Sequence, residues 1–282
     1  IPVVSLQEAI NMDFDASVMR WADCTMVSGT HALRYHTRRL SYLTGIPRYD
    51  DIEPKPAPEN AYVLINCNFT YGVASTWARD WLDGAIEAVR RAGLEYHVTM
   101  HPRDETDLTG VEHVMDSSAF VVHDQIAGCF ALVSRDSSLP YEALLMNRHV
   151  VYYNPFHESE RCLNEDDTGL IQKCETVDDL ASRLTALASE SLPLDGASNT
   201  QDFFRHYYTG IDSRNYLRVV RALQELKDRG YLGALDAQSD PYVIAWSRMW
   251  LQNVLRPRLR AIGWLRQVWK FFKYRVFRYT EN

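Results

Sequence analysis

Val133–Tyr153 reads VSRDSSLPYEALLMNRHVVYY, and this stretch decides the fold. The apolar run Phe130–Ser134 predicts a buried strand. Arg135–Ser138 is a polar turn at its tip. Pro140–Asn147 predicts a short helix with proline in its first turn, where the missing N–H costs nothing. His149–Tyr153 is again apolar and β-branched, a second strand that ends at Asn154-Pro155-Phe156. Strand, turn, helix, strand is the unit of a parallel sheet, and such sheets place their ligand crevice at the carboxyl ends of the strands.

The same alternation continues on both sides. Tyr62–Cys67 predicts a buried strand. Ser75 or Thr76 can cap a helix running to about Arg91, with Gly93 as its stop. Tyr96–Met100 is the next strand and delivers His101-Pro102-Arg103 to its tip. Val111–Met115 is a weaker strand pattern, and Phe120–Ala127 predicts a helix. Thr176–Ser189 is an amphipathic helix whose Thr176, Asp178 and Asp179 suit its N-terminus. Before all this, Val3–Leu6 and Cys24–Ser28 predict strands, Asp15–Ala22 has helical patterning, and Thr30 to about Thr44 predicts a helix. Gly45-Ile46-Pro47-Arg48-Tyr49-Asp50 reads as a helix stop and turn, and the proline-rich, acidic Asp51–Asn60 as a linker. The fold class is therefore α/β with mostly parallel sheets. Residues 1–50 form the end of a first lobe, 51–60 the linker, 61–245 a second lobe and 246–282 a tail. The chain opens on a strand with no initiator methionine, which reads as the truncated end of a longer protein.

The 282 residues are 46% hydrophobic, ordinary for a globular protein. Five cysteines (Cys24, Cys67, Cys129, Cys162, Cys174) show no metal-ligand spacing, and a reducing compartment with core thiols is expected. His113, His149 and His206 likewise lack ligand spacing, so no metal site is expected, although a Mg²⁺ carried on a diphosphate leaves no motif. The formal net charge is −7, yet residues 246–282 hold nine Lys/Arg against one acid, Glu281. The body is thus strongly acidic, which argues against nucleic acid as a partner. The tail also holds Trp246, Trp250, Trp264 and Trp269. Its apolar residues, among them Leu251, Val254, Leu255, Ile262, Leu265, Val268 and Phe272, largely repeat at helical spacing, broken at Pro257 and Gly263. Basic, aromatic and amphipathic, it fits a helix lying on an anionic membrane surface, and equally a terminal helix packing back on the protein.

Two loops carry the chemistry. A histidine at the tip of a crevice strand, His101, can donate to a phosphate and would be held protonated by it; Arg103 can add a fork of donors. The Ser137 and Ser138 hydroxyls, with Ser138 as helix cap, make a phosphate cradle. Glu142, one turn on, can accept the two hydroxyls of a ribose. The pair of loops suggests a nucleotide or nucleotide-sugar site. Each also has a plainer reading, a strand cap and a helix cap. His123 and Asp124 could lie near the nucleotide, though a capped helix start also explains them.

The stretch 133–153, with its strand, small-residue turn and Glu-bearing helix, resembles the donor-side lobe of GT-B glycosyltransferases. Together with the His-Pro loop it resembles the bacterial surface and capsular polysaccharide group that uses cytidine nucleotides: Kdo transferases, polysialyltransferases and CDP-glycerol glycerophosphotransferases. Gly45–Asp50 resembles the segment that closes the first lobe in that group. The resemblance covers about residues 1–190. It implies GT-B-like Rossmann lobes with a C-terminal helical tail. His101 would then assist the departing nucleotide, Ser137 and Ser138 would bind its phosphate, and Glu142 would bind its ribose. Asn66 and Asn68 stand at the strand tip where some retaining relatives carry an acidic nucleophile, so Asn68 marks a different chemistry, a disabled site, or a residue that bonds the donor or the loop. Glu8 is a candidate base.

These readings lead to a glycosyltransferase that moves a sugar, Kdo-like by preference, from a CMP-linked donor to a surface glycan or lipid-linked acceptor. It would have no tightly bound cofactor and would be cytoplasmic, peripheral to the inner membrane through 246–282. The alternatives are a CDP-glycerol-type polyol-phosphate transferase, a non-catalytic membrane-tethered nucleotide- or glycan-binding domain and, more remotely, a UDP-sugar epimerase, which would not need the basic tail.

Overall fold

The computed structural model describes residues 4–7, 22, 24–33, 40–69, 75–116, 121–135, 137–158, 169–190, 200–208 and 212–228. All of them fall in the unit Val3–Arg229, the larger of two into which the chain divides. Glu8, Cys162, the helical pattern before Ala22 and the tail 246–282 lie outside the described residues.

The larger sheet is five parallel strands: β4 (Tyr62–Cys67), β5 (Tyr96–Met100), β6 (Cys129–Ser134), β7 (His149–Tyr153) and β8 (Ile171–Cys174), in the order β5-β4-β6-β7-β8. Alternate side chains take opposite faces. Leu64, Leu132, Val150 and Tyr152 pack with α3 (Val122–Gly128), α4 (Leu139–Leu145) and α6 (Thr200–Tyr207). Val63, Ile65, Ala131, Val133 and Val151 pack with α2 (Ala78–Arg91) and α5 (Val177–Leu187). Both faces are covered, which is why these strands read as near-continuous apolar runs.

Local chemistry sets the element ends. Helix α2 buries Ala78, Trp81, Leu82, Ala85, Ile86 and Val89 on one stripe. It closes at Gly93, whose φ of +69° suits glycine. Gly93 N–H bonds to the Arg90 carbonyl and Leu94 N–H to that of Val89, a paired terminal lock. Helix α4 ends the same way on Asn147, at φ +61°. Thr176 caps α5 by accepting from Asp179 N–H at 3.1 Å, as expected from its sequence.

The smaller sheet is three parallel strands in the order β1 (Val4–Leu6), β2 (Cys24–Val27), β3 (Leu40–Leu43). Its Cys24 and Met26 pack against Ala222 and Leu226 of α7 (Asn215–Asp228). Helix α7 thus packs on the small sheet. The expected helix from Thr30 to Thr44 is corrected: among the described residues of that stretch α1 (Thr30–Leu33) is helical, whereas Leu40–Leu43 is a strand in register with Cys24–Val27. Pairing beside β2 and packing of Leu40 and Tyr42 override local helix propensity. Val111–Met115 is reduced to one bridge, Val98 to Val114. Strand β8 and helices α6 and α7 had no counterpart in the sequence reading.

The hexapeptide Gly45–Asp50 and the linker after it are anchored at several points. Gly45 has φ +74°, and a Cβ there would meet Asn215 Oδ1 at 1.9 Å. The Asp50 carboxylate accepts from the N–H groups of Asn215 (3.0 Å) and Tyr216 (2.8 Å), capping α7. The linker runs through residues 52–58 without regular structure. It is held by Arg148, a fully buried guanidinium. Arg148 donates to the carbonyls of Lys55 and Pro56 in the linker, Ile126 and Ala127 at the end of α3, and Met146 and Asn147 at the end of α4. Four of these six carbonyls belong to helix C-termini, where a cation is favoured. Burial pulls the guanidinium down from its usual pKa.

Candidate functional site

The strand order locates the crevice. The chain leaves β4 for β5 through α2 on one face, and leaves β6 for β7 through α4 on the other. Between β4 and β6 the connections diverge, and an open α/β sheet binds ligands at that divergence, beyond the carboxyl ends. The residues singled out from sequence stand at those ends. Asn66 and Asn68 follow from β4, His101 from β5, and Ser137 and Ser138 from β6. Strands β5 and β6 flank β4, so their tips lie about 10 Å apart.

Three anchors fix the tips. His101 N–H donates to the Cys67 carbonyl at 3.0 Å. The buried Asp104 takes Phe69 N–H at 2.8 Å and joins the loops after β4 and β5. Arg135 donates to the Asn68 carbonyl at 2.7 Å and to both oxygens of Glu158, and lies over the Phe69 ring. Glu158 is locked in turn by reciprocal bonds with Asn154, just past β7. Arg135 was not singled out from sequence; its one legible signal is a basic residue inserted between an apolar strand and a serine pair.

The imidazole of His101 accepts from Arg103 N–H at Nδ1 (3.1 Å), so the neutral ring carries its proton on Nε2. Burial, reinforced by the Arg103 charge, lowers its pKa from the usual value. The lowered pKa favours the neutral ring; the protonated form expected from sequence presupposes an anion beside it. Asn66 is buried, and its Oδ1 accepts from Ser134 Oγ at 3.3 Å, so its side chain works beneath the crevice floor. Arg103 is exposed.

The serine pair departs from expectation. Ser138 has helical backbone angles and makes no side-chain cap; instead Ser137 Oγ accepts from Leu139 N–H at 3.2 Å. Helix α4 has seven residues, too short for a strong terminal field, so the helix end adds little to the two hydroxyls and the loop. Both serines are partly exposed.

Glu142 is fully buried. Its Oε1 accepts from Arg48 Nη2 (2.9 Å), Tyr49 OH (3.1 Å) and Ser138 Oγ (3.4 Å), and its Oε2 from His123 Nε2 (2.7 Å). Burial first, then the Glu142 charge, push the Tyr49 hydroxyl far above its usual pKa, keeping it a donor. The sequence reading had Glu142 as a ribose acceptor; in the structure its carboxylate is buried and taken by protein donors. Nothing in that reading hinted that Arg48 and Tyr49, more than ninety residues earlier, complete the cluster.

The described cysteines, Cys24, Cys67, Cys129 and Cys174, are free and buried. Burial pushes the Cys129 thiol up to about 12, which makes it unreactive. Among the described residues no group of three or more His, Cys, Asp or Glu could hold a metal ion, and no helix is long and apolar enough to cross a membrane.

No family model matches this chain, and no curated protein does. Among solved structures it is similar to a protein from Listeria monocytogenes described as a UDP-N-acetylglucosamine 2-epimerase, with a TM-score of 0.51 at 14% identity, covering 75% of this chain and 61% of that one. The fold is α/β and GT-B-like. The wall teichoic acid polymerase TagF gives 0.49 at 12% identity over 83% of this chain and 67% of that one, and the spinosyn forosaminyltransferase SpnP gives 0.46 at 17% over 73% and 55%. At these identities the likeness concerns the fold alone. The chain spans about three fifths of the epimerase's length.

Proposed function

We propose that the chain is the donor-binding part of a transferase moving a sugar, Kdo-like by preference, from a CMP-linked donor to a bacterial surface polysaccharide or lipid-linked glycan. The observation that carries this reading is the convergence of His101, the Asn68 loop and the Ser137-Ser138 loop at the divergence between β4 and β6.

In this mechanism the bond between the anomeric carbon and the donor phosphate oxygen breaks, and its electron pair stays on that oxygen. His101, with Nε2–H outward, donates to the departing phosphate, whose charge raises the imidazole pKa and favours transfer. Arg103 adds positive charge, and the Ser137 and Ser138 hydroxyls hold the phosphate. The acceptor hydroxyl attacks the anomeric carbon, and its proton passes to a base, for which Glu8 is the candidate. Asn68, in the loop after β4, orients the donor. Membrane attachment through 246–282, at the cytoplasmic face, would bring the site to a lipid-linked acceptor.

The test is product analysis with a CMP-linked sugar and with CDP-glycerol as donors. Release of CMP with a new glycosidic bond supports the proposal. Release of CMP from CDP-glycerol with a new phosphodiester would replace it by the polyol-phosphate transferase. No turnover of either by the full-length protein, with nucleotide still bound, would leave a binding domain.

A further inference from the structure

The cluster around Glu142 constrains how the crevice reads its ligand. An ionised carboxylate offers about four lone-pair sites. Arg48, Tyr49, Ser138 and His123 supply four donors to them. A ligand diol cannot bond to Glu142 unless some of these protein donors leave, and the carboxylate has no exposed surface from which to receive it.

Two of the donors do face solvent. The Arg48 side chain is 52% exposed and that of His123 38%. Because an ionised carboxylate only accepts, the proton of the 2.7 Å contact sits on His123 Nε2. In the neutral ring Nδ1 is then an acceptor, and it has no hydrogen-bond partner among the described residues. Arg48 gives one N–H to Glu142, and its other N–H groups have no hydrogen-bond partner among the described residues. Glu142 balances the Arg48 charge, so the cluster does not offer the net positive field that a phosphate dianion needs. An acceptor and a set of donors side by side suit hydroxyl groups, which both donate and accept.

We propose that His123 and Arg48 form a subsite for the hydroxylated ring of the ligand, and that Glu142 is a positioning residue that orients them. This rests on the nucleotide-linked donor proposed above. The ring is either the nucleotide's ribose or the transferred sugar, and both present the same chemistry.

The test uses calorimetric titration of the full chain, its His123→Ala variant and its Glu142→Gln variant, each checked for an unchanged melting temperature. CMP, 2′-deoxy-CMP and a CMP-linked sugar are the probes. If the subsite holds ribose, His123→Ala weakens CMP about tenfold and leaves 2′-deoxy-CMP unchanged. If it holds the transferred sugar, CMP is unaffected and the CMP-linked sugar weakens. Glu142→Gln has the same direction of effect and moves the His123 ring nitrogens, read by ¹⁵N NMR, from the Nε2–H form to a tautomer mixture, which mere packing would not do. Should the Gln variant unfold, the His123→Ala titrations and the wild-type ring tautomer still decide. Nucleotide binding that His123→Ala leaves intact for every probe overturns the subsite alone. No nucleotide binding by the wild type overturns the donor reading and the subsite with it.

Discussion

Arg135 and Glu158 form a bidentate ion pair with both side chains almost wholly buried, and through it the tips of β4, β6 and β7 are one rigid unit. The Arg135 charge is desolvated, and Glu158 meets it. Removing one member of such a pair leaves an uncompensated charge and costs about 3 kcal/mol or more. Glu158→Ala is therefore expected to lower the urea unfolding free energy by about that amount. A loss under about 1 kcal/mol, as exposed pairs give, would show that the pair is not buried in solution.

Arg148 makes a sharper case, because six carbonyls depend on it and, among the described residues, no carboxylate does. Arg148→Met fills the volume but strands these acceptors. The expected loss exceeds about 3 kcal/mol. Arg148→Lys recovers only part of it, since an ammonium cannot span the linker and two helix ends together. Equal stability of the Met variant and the wild type would contradict the assignment.

Asp50 and Gly45 act on α7 from the same hexapeptide. Asp50→Ala removes the cap on Asn215 and Tyr216 and is expected to cost about 1 kcal/mol. Gly45→Ala meets both a left-handed backbone and Asn215, with the Tyr208 carbonyl close behind, and is expected to cost more. Thermal melts of the two variants should therefore rank Gly45→Ala below Asp50→Ala; the reverse order would show that α7 is not seated as described.

The histidines set the acid side of the stability profile. Burial lowers the pKa of both His97 and His101 from the usual value. Below about pH 6.5 the unfolded chain takes up protons that the folded chain refuses. Stability is thus fully present above that pH and falls as pH drops through it. Urea midpoints should decline between pH 7.5 and 5.5, and less so in His101→Gln. The depressed carboxyls of Asp107, Glu175 and Asp212 act at lower pH and do not confuse this window. A flat profile would contradict the assignment.

What was legible in the sequence follows physical lines. The strands β4 to β7 and helices α2 and α5 announce themselves through continuous apolar runs, one-sided stripes and caps such as Gly93 and Thr176. Strand β3 was concealed because four residues, Leu40–Leu43, carry too little pattern to outvote a helical neighbourhood, and its register with β2 is a long-range fact. For the site, His101, Asn66, Asn68 and the serine pair were legible because each ends or follows a strand. Arg135 and Arg48 were not. An arginine's role depends on which carboxylate it meets, and Glu158 and Glu142 are set by the fold rather than by spacing.

The proposed function stands on a nucleotide site between β4 and β6 in which His101 meets the phosphate. The most direct measurement is calorimetric titration of the chain and its His101→Ala variant with CMP, CDP, UDP and GDP. Selective binding of CMP or CDP, weakened at least tenfold by the substitution, is the predicted result. Cytidine-nucleotide binding of equal strength in both proteins would contradict the role of His101, and binding of none of the four would contradict the site itself.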